Sequence, residues 1–441
     1  MAGIAQFCLD PKPGIPEPAL RMAATLLLDT IGVAAGAKAL EVGQIMRDFV
    51  VDHYGPGSPN HAARLMFDGR RSSMVGAAYA IASQIDNLDA HDGLNATLGH
   101  IGCAVVPSLF ALAEQMPDLT GRAALEAMVI AYEVAGRAGP ALHATVSDYH
   151  TSGAWNALGV AAMACRLLGA DQEQLRQALG IAEYHGPRSQ MMREIDNPTM
   201  LHDGSGPGAM VGLTAALTAL RGFKGAPAIT VEADEVAHLW ADLGAVWTIE
   251  QNYIKPYPIC RWAHGAIEAA RLVRNDHALH PDQIEHCQIN TFDKSAKLFA
   301  GMPQTTSQAQ YSLAFAVATM LAHGRIGPEH VSGAGLEDPT VIAMIERISV
   351  LEEPRHTERF PDGRWSDLTI TLKSGKILHS GDVNARGGPE APMTMPEIEQ
   401  KFMAFAACAV AANQANAIWQ AGQNLLEPSS RFRSLADMIM A

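Results

Sequence analysis

Between Asp86 and Cys103 the chain reads Asp-Asn-Leu-Asp-Ala-His-Asp-Gly-Leu-Asn-Ala-Thr-Leu-Gly-His-Ile-Gly-Cys. Three aspartates and two histidines lie in this stretch, and these residue types take, give and relay protons near neutral pH. Apolar, alanine-rich segments flank it at 74–85 and 104–115. If a loop between two core helices is even partly buried, its charge must be paired or put to use. The opposite reading is a solvated turn, the ordinary fate of a polar loop. Two further stretches add chemistry. Tyr149-His150-Thr151-Ser152-Gly153 offers a second imidazole. Lys255-Pro256-Tyr257-Pro258-Ile259-Cys260-Arg261 offers two cations that could clamp a carboxylate, the arginine in bidentate fashion.

Metal and thiol chemistry are weaker readings. His91, Asp92, His100 and His150 could gather around zinc, but their spacing matches no standard motif, so no metal is expected. The six cysteines are scattered without a CxxC pair, which suits reduced thiols and not a disulfide frame. Cys260 could act as a nucleophile only with a base beside it, and no sequence neighbour supplies one.

The elements that must position these residues follow from periodicity. Residues 1–16, rich in Pro and Gly, read as an arm. Helices are expected at 18–37, 41–53, 74–85, 104–115, 121–138, 153–168, 172–183, 204–221 and 232–243, with Ser72 or Ser73 and Asp171 as caps. After about residue 255 the pattern changes. Helices at 263–275, 308–323 and 341–346 alternate with extended runs at 284–292 and 348–351. Residues 367–372 and 377–383 flank Lys373-Ser374-Gly375-Lys376 as a hairpin. Helix returns at 397–424, with an amphipathic spacing suited to packing back on the first helices. The fold class is therefore mainly α with an α+β part. A large all-helical domain (1–260 and 393–441) carries a smaller α+β lid (261–392) inserted before the C-terminal helices. No repeat of 20–50 residues is present, which argues against a helical solenoid.

With 441 residues and 48% hydrophobic content the chain can bury a large core, and few aromatics (6%) suit close-packed helices. A net charge of -14 disfavours nucleic acid and anionic membrane as partners. No unbroken apolar run reaches membrane-spanning length, and the first residues lack the pattern of a secretory signal, so a cytoplasmic location is expected.

In order and spacing, these segments resemble the MmgE/PrpD family. Leu88-Asp89-Ala90-His91-Asp92-Gly93 with His100-Ile101-Gly102 is similar to the family's Leu-Asp-Phe-Asp-Asp-Thr and His-Pro-Ser/Gly motifs. Tyr149 to Gly153 resembles Phe-His-x-Thr-Gly, and Lys255 to Arg261 resembles Lys-Pro-Tyr-Pro-x-Cys-Arg. Leu167 to Asp171 and Gln177 to Ala182 resemble the helix pair between them. The resemblance covers about Leu27 to Phe402. It implies a helical domain with an α+β lid, an active site between the two, no cofactor and a homodimer. It implies proton transfer beside a carboxylate of a small carboxylic acid, by a lyase of the dehydratase or hydratase type. An epimerase, isomerase or decarboxylase is the alternative reading, and a non-catalytic binding protein a more distant one. By position His100, His150, Asp89 and Lys255 are the catalytic candidates. Arg261, His91, Asn95, His202, Cys260 and Tyr257, in or beside the same kinds of segment, are the candidates for contacting substrate.

The departures are informative. His91 stands where the family has Asp, Gly93 where it has Thr, and Ile101 where it has Pro. Met200, in Pro198-Thr199-Met200-Leu201-His202-Asp203-Gly204, stands where a pocket lysine is usual. Either another cation replaces that lysine, such as Arg188 or Arg193, or the substrate lacks one carboxylate. The expectation is a retained fold with a changed substrate.

Overall fold

The structure, a computed structural model, describes residues 1–440. Its first half is helix upon helix, and small residues let the helices approach closely. Ser205–Ala219 lies against Gly153–Leu167, where Gly208 meets Gly153 and Gly212 faces the Ala157 carbonyl and Val160. Larger side chains at those contacts would separate the backbones and open voids in a core that must be close-packed. Glu17–Gly36 runs through the centre. Among the described helices it alone is long and apolar enough to cross a membrane, but 83% of its apolar window is buried inside the protein. It also carries the buried carboxylate Asp29.

The C-terminal helix Met395–Ala406 packs on Glu17–Gly36, as its amphipathic spacing led us to expect, seating Phe402 on Gly32 and Phe405 on Gly36. Between these helical parts lies a mixed sheet. Its strands run in the order Ile348–Glu352, Ile284–Thr291, Trp365–Leu372, Ile377–His379, with Val383–Asn384 on the first two residues of Trp365–Leu372. Only the first pair is parallel. Cys287, Ile289, Leu368 and Ile370 are buried, and the helix His264–Asp276 packs against Trp365–Leu372. The molecule is mainly α with an α+β part, as its periodicity indicates.

Four local expectations change. The N-terminal residues are not an arm: Ala2–Leu9 is helical and buries Ile4, Ala5 and Cys8. The segment 308–323 is two helices, Thr306–Gln310 and Leu313–His323, because Ser312 Oγ accepts the Phe315 N–H and starts a new helix. That break frees Tyr311 from helical spacing. The segment 397–424 likewise divides into Met395–Ala406 and Ala412–Gln423. Residues 234–240 form 3-10 turns instead of an α-helix. Ser73 and Asp171 cap their helices as expected, the latter in a full capping box with Gln174.

Candidate active site

The polar loop is buried. Asp86, Asn87, Asp89, His91, Asp92 and His100 are all almost inaccessible. The helix Met74–Asp86 ends at Asn87, and Asp89 then adopts a left-handed conformation (φ 52°) that turns the chain sharply. Gly93–Leu94 pairs with Asn252–Tyr253 and fixes the loop to the segment that carries Lys255 and Arg261. A Cβ on Gly93 would run into the Tyr253 ring and hydroxyl. The absence of a threonine at position 93 is therefore the condition for Tyr253 to occupy its place.

Lys255 is fully buried under this loop. Its ammonium donates to the Asp89 carbonyl oxygen at 2.8 Å and pairs with Asp89 Oδ1. The expected carboxylate clamp by Lys255 is thus replaced by an internal one: its charge is committed to Asp89. The other Asp89 oxygen, Oδ2, has no protein partner.

His100 is held on three sides. Its N–H donates to Ser152 Oγ at 2.9 Å, and Ser152 Oγ donates to Asp203 Oδ1 at 2.7 Å. Its Nδ1 lies 2.7 Å from the Asp92 carbonyl oxygen. A carbonyl only accepts, so Nδ1 carries the hydrogen and Nε2 is left with a free lone pair. Nε2 stands 3.7 Å from Asp203 Oδ2 and 4.0 Å from Asp89 Oδ1. Burial, then the Lys255 charge, lower the pKa of His100 below the usual imidazole value. The side chain is a neutral base with its lone pair exposed.

That base lies on the wall of a narrow cavity between the helical part and the sheet-bearing part. Asp89, His100 and Asp203 line one side. Tyr149, Tyr253, Cys260, Arg261, Trp262, Tyr311 and Arg364 complete the wall. Arg261 lies flat on Tyr253, its guanidinium carbon 4.2 Å from the ring centre, and donates to the carbonyls of Arg386 (2.6 Å) and Ala385 (3.3 Å). Burial lowers its pKa to about 10, so it remains cationic at neutral pH. Burial keeps the Tyr253 and Tyr311 hydroxyls protonated, raising Tyr253 well above its usual range. The Cys260 thiol is raised to about 12 by burial and then by Asp89, which leaves no thiolate for nucleophilic attack.

Several expected site residues lie off the wall. His150 follows Tyr149 in extended backbone, so the two point apart: Tyr149 lines the cavity, while His150 directs Nδ1 to the Asp148 carbonyl at 2.8 Å. His91 stands behind His100, the rings meeting edge to face at 4.4 Å, and both its nitrogens lack a partner. His202 is a further layer back, with Nε2 3.2 Å from Ser307 Oγ. Tyr257 turns away and donates to Glu268 at 2.7 Å. Asn95 lines a neighbouring cavity that shares Leu98 with this one. None of these five side chains is part of the lining of the main cavity.

Met200 is 43% exposed in a surface groove, and Arg188, with Glu183 3.9 Å away, is not in the cavity lining. Arg193 is not there either. The cation that does line the cavity is Arg364, from the turn Asp362-Gly363-Arg364-Trp365, which carries no motif that sequence reasoning could have caught. Ser152 and Asp203 were also missed as a pair, being 51 residues apart.

Asp89, His91 and His100 bring three ligand atoms within 4.8 Å of one another. The set suits a divalent cation poorly, because the Lys255 ammonium already occupies the Asp89 carboxylate. Neither Asp92 nor His150, the other members of the sequence-level zinc set, belongs to this group.

The model of the MmgE/PrpD N-terminal domain matches residues 3–243, and that of the MmgE/PrpD C-terminal domain matches residues 257–426. The chain belongs to the MmgE/PrpD family. The second matched part begins at residue 257, inside the Lys255–Arg261 segment, and residues of both parts line the cavity. Cis-aconitate decarboxylase of Mus musculus is similar at 23% identity, over 88% of this chain and 82% of its own length. Cis-aconitate decarboxylase of Homo sapiens is similar at 25% identity, over 75% of this chain and 72% of its own. The protein is an enzyme of MmgE/PrpD type.

Proposed function

We propose that this MmgE/PrpD enzyme is a lyase that removes a proton beside a carboxylate of a small carboxylic acid, with His100 as the base. The observation that carries the reading is the hydrogen bond from His100 Nδ1 to the Asp92 carbonyl, which leaves Nε2 unprotonated at the cavity wall. Arg261 holds the carboxylate next to the reacting carbon and stabilises the negative charge that grows there. His100 Nε2 takes the proton, and the electron pair left on carbon forms a double bond as hydroxide leaves the neighbouring carbon. The hydroxyl of Tyr253 or Tyr311, kept protonated by burial, gives the leaving group its proton. The product is an unsaturated acid and water.

A neutral His100 favours reactions that begin by taking a proton, which places dehydration or epimerisation ahead of decarboxylation. The decarboxylase names of the relatives support the same substrate chemistry, a small polycarboxylic acid. Epimerisation is the second reading, since a protonated tyrosine across the cavity could return a proton to the opposite face.

The test is proton NMR in D2O with a panel of hydroxy-, unsaturated and amino-linked di- and tricarboxylates. Olefinic or hydrated products support the lyase, and deuterium uptake without elimination supports the epimerase. His100→Gln should reduce either signal by about 10²- to 10⁴-fold, the usual worth of a positioned base. The acid limb of the rate should fall below pH ~6.5, because burial lowers this imidazole. A His100→Gln enzyme of undiminished rate contradicts the assignment.

A further inference from the structure

Two guanidinium groups share one cavity, and neither forms a salt bridge with a carboxylate. Arg364 is 3% exposed and Arg261 6%. Among the described residues no carboxylate oxygen lies within 4.0 Å of either group, and the Nε of each has no partner. Arg364 uses one of its five donors, on the Pro361 carbonyl, and rests over Phe360 at 4.9 Å. Leaving a buried charge unpaired costs several kcal/mol. A cation–π contact recovers only ~1–2 kcal/mol of that. The two carboxylates that line the cavity are committed elsewhere, Asp89 to Lys255 and Asp203 to Ser152.

Nothing about Arg364 is loose. Its N–H donates to Asn384 Oδ1 at 2.8 Å, and its carbonyl accepts the Ala385 N–H at 3.1 Å. The next two carbonyls of that segment, Ala385 and Arg386, are those that receive Arg261. Residues 384–386 therefore hold both arginines in register, one by its backbone and one by its side chain. Gly265 completes the seat, since a Cβ there would run into the Arg364 carbonyl. Lys294, half-buried over the rings of Tyr149, Trp262 and Phe360 with Nζ 5.0–6.0 Å from their centres, adds a third unpaired cation beside the cavity wall.

We infer that Arg364 forms a second anion subsite next to Arg261, pairing with a substrate carboxylate other than the one that Arg261 holds. The inference rests on the proposed reading of the cavity as the substrate site. It gives the cavity a second cation, which Met200, on the surface, does not supply.

The test is a ladder of unreactive probes, butyrate, glutarate and tricarballylate, titrated calorimetrically into the wild-type protein, Arg364→Gln and Arg364→Lys. Wild type should bind glutarate or tricarballylate at least about tenfold more tightly than butyrate, the worth of one further charge-assisted contact. Arg364→Gln should lose that preference while keeping its affinity for butyrate, and Arg364→Lys should retain part of it. Retained butyrate binding also shows that the variant is folded. If Arg364→Gln does not fold, Arg364→Lys decides, and a preference there equal to that of wild type overturns the subsite. Equal affinity along the wild-type ladder, equal loss of butyrate and tricarballylate in Arg364→Gln, or no binding of any probe overturns the subsite. Binding needs no turnover, so the two proposals fail separately. A charge preference without proton exchange leaves the subsite and removes the proton-transfer reading. Exchange on monocarboxylates without a charge preference does the reverse.

Discussion

The ammonium of Lys401 lies 2.7 Å from the carbonyl oxygen of Ala90 and donates to Asp29 Oδ1 at 2.6 Å. One residue earlier, the Asp89 carbonyl receives Lys255. Two lysines from distant parts of the chain thus grip consecutive carbonyls of the loop that presents Asp89 and His100. Their charges hold backbone that has left helical hydrogen bonding, in a place water does not reach.

Lys401→Met should therefore be costly. It strands the Asp29 carboxylate and frees the Ala90 carbonyl, a loss of about 3–5 kcal/mol by the usual cost of breaking a buried pair. The double variant Asp29→Leu/Lys401→Met removes both charges and should recover much of that loss. Urea unfolding of the three proteins measures both steps. A single variant within ~0.5 kcal/mol of wild type rules out this role for Lys401.

His202 gives the fold an acid-sensitive element. Burial lowers its pKa to about 4, against ~6.5 in an unfolded chain. As pH falls below ~6.5 the unfolded chain takes a proton that the native site refuses. The contribution of His202 is complete above that pH and is lost progressively as pH falls toward about 4. His202→Gln should flatten the pH dependence of the urea midpoint in that window, by about 1.4 kcal/mol per pH unit. Identical slopes for variant and wild type would contradict the assignment.

Gly265→Ala sets two effects against each other. Alanine in a helix is favoured over glycine by ~1 kcal/mol. The added methyl would meet the Arg364 carbonyl, which its bond from Ala385 holds in place. Overpacking of that kind costs ~1–3 kcal/mol, so the variant should melt lower than wild type. It should also bind tricarballylate more weakly while butyrate is little affected, because the disturbance reaches Arg364 first. A raised melting temperature with unchanged probe binding would show that the seat is not tight.

Much of the architecture was legible in the residues themselves. Period-3.6 alanine-rich stretches marked the helices, alternation around Lys373–Lys376 marked the hairpin, and polar residues between apolar helices marked the loop with Asp89 and His100. Arg261 and Cys260 came from a linear motif and do line the cavity. A linear motif does not say which way a side chain faces, however. Tyr149 and His150 are neighbours, and extended backbone sends one into the cavity and the other away from it. Met200 belongs to the run that leads to Asp203, yet Asp203 lines the site and Met200 is on the surface.

The sequence by itself determined the elements and the acid–base loop, because hydrophobic period and buried polarity are local properties of the chain. Only the tertiary structure decided which cations face the substrate. Lys255 was drawn under Asp89, while Arg364, in a stretch that the sequence reading assigned to no element, was carried inward. Its place depends on a glycine 99 positions earlier in the numbering, Gly265, and on hydrogen bonds from 384–385. Contacts over such separations leave no mark in local composition, so the charge that selects the substrate appears only when the chain has closed around it.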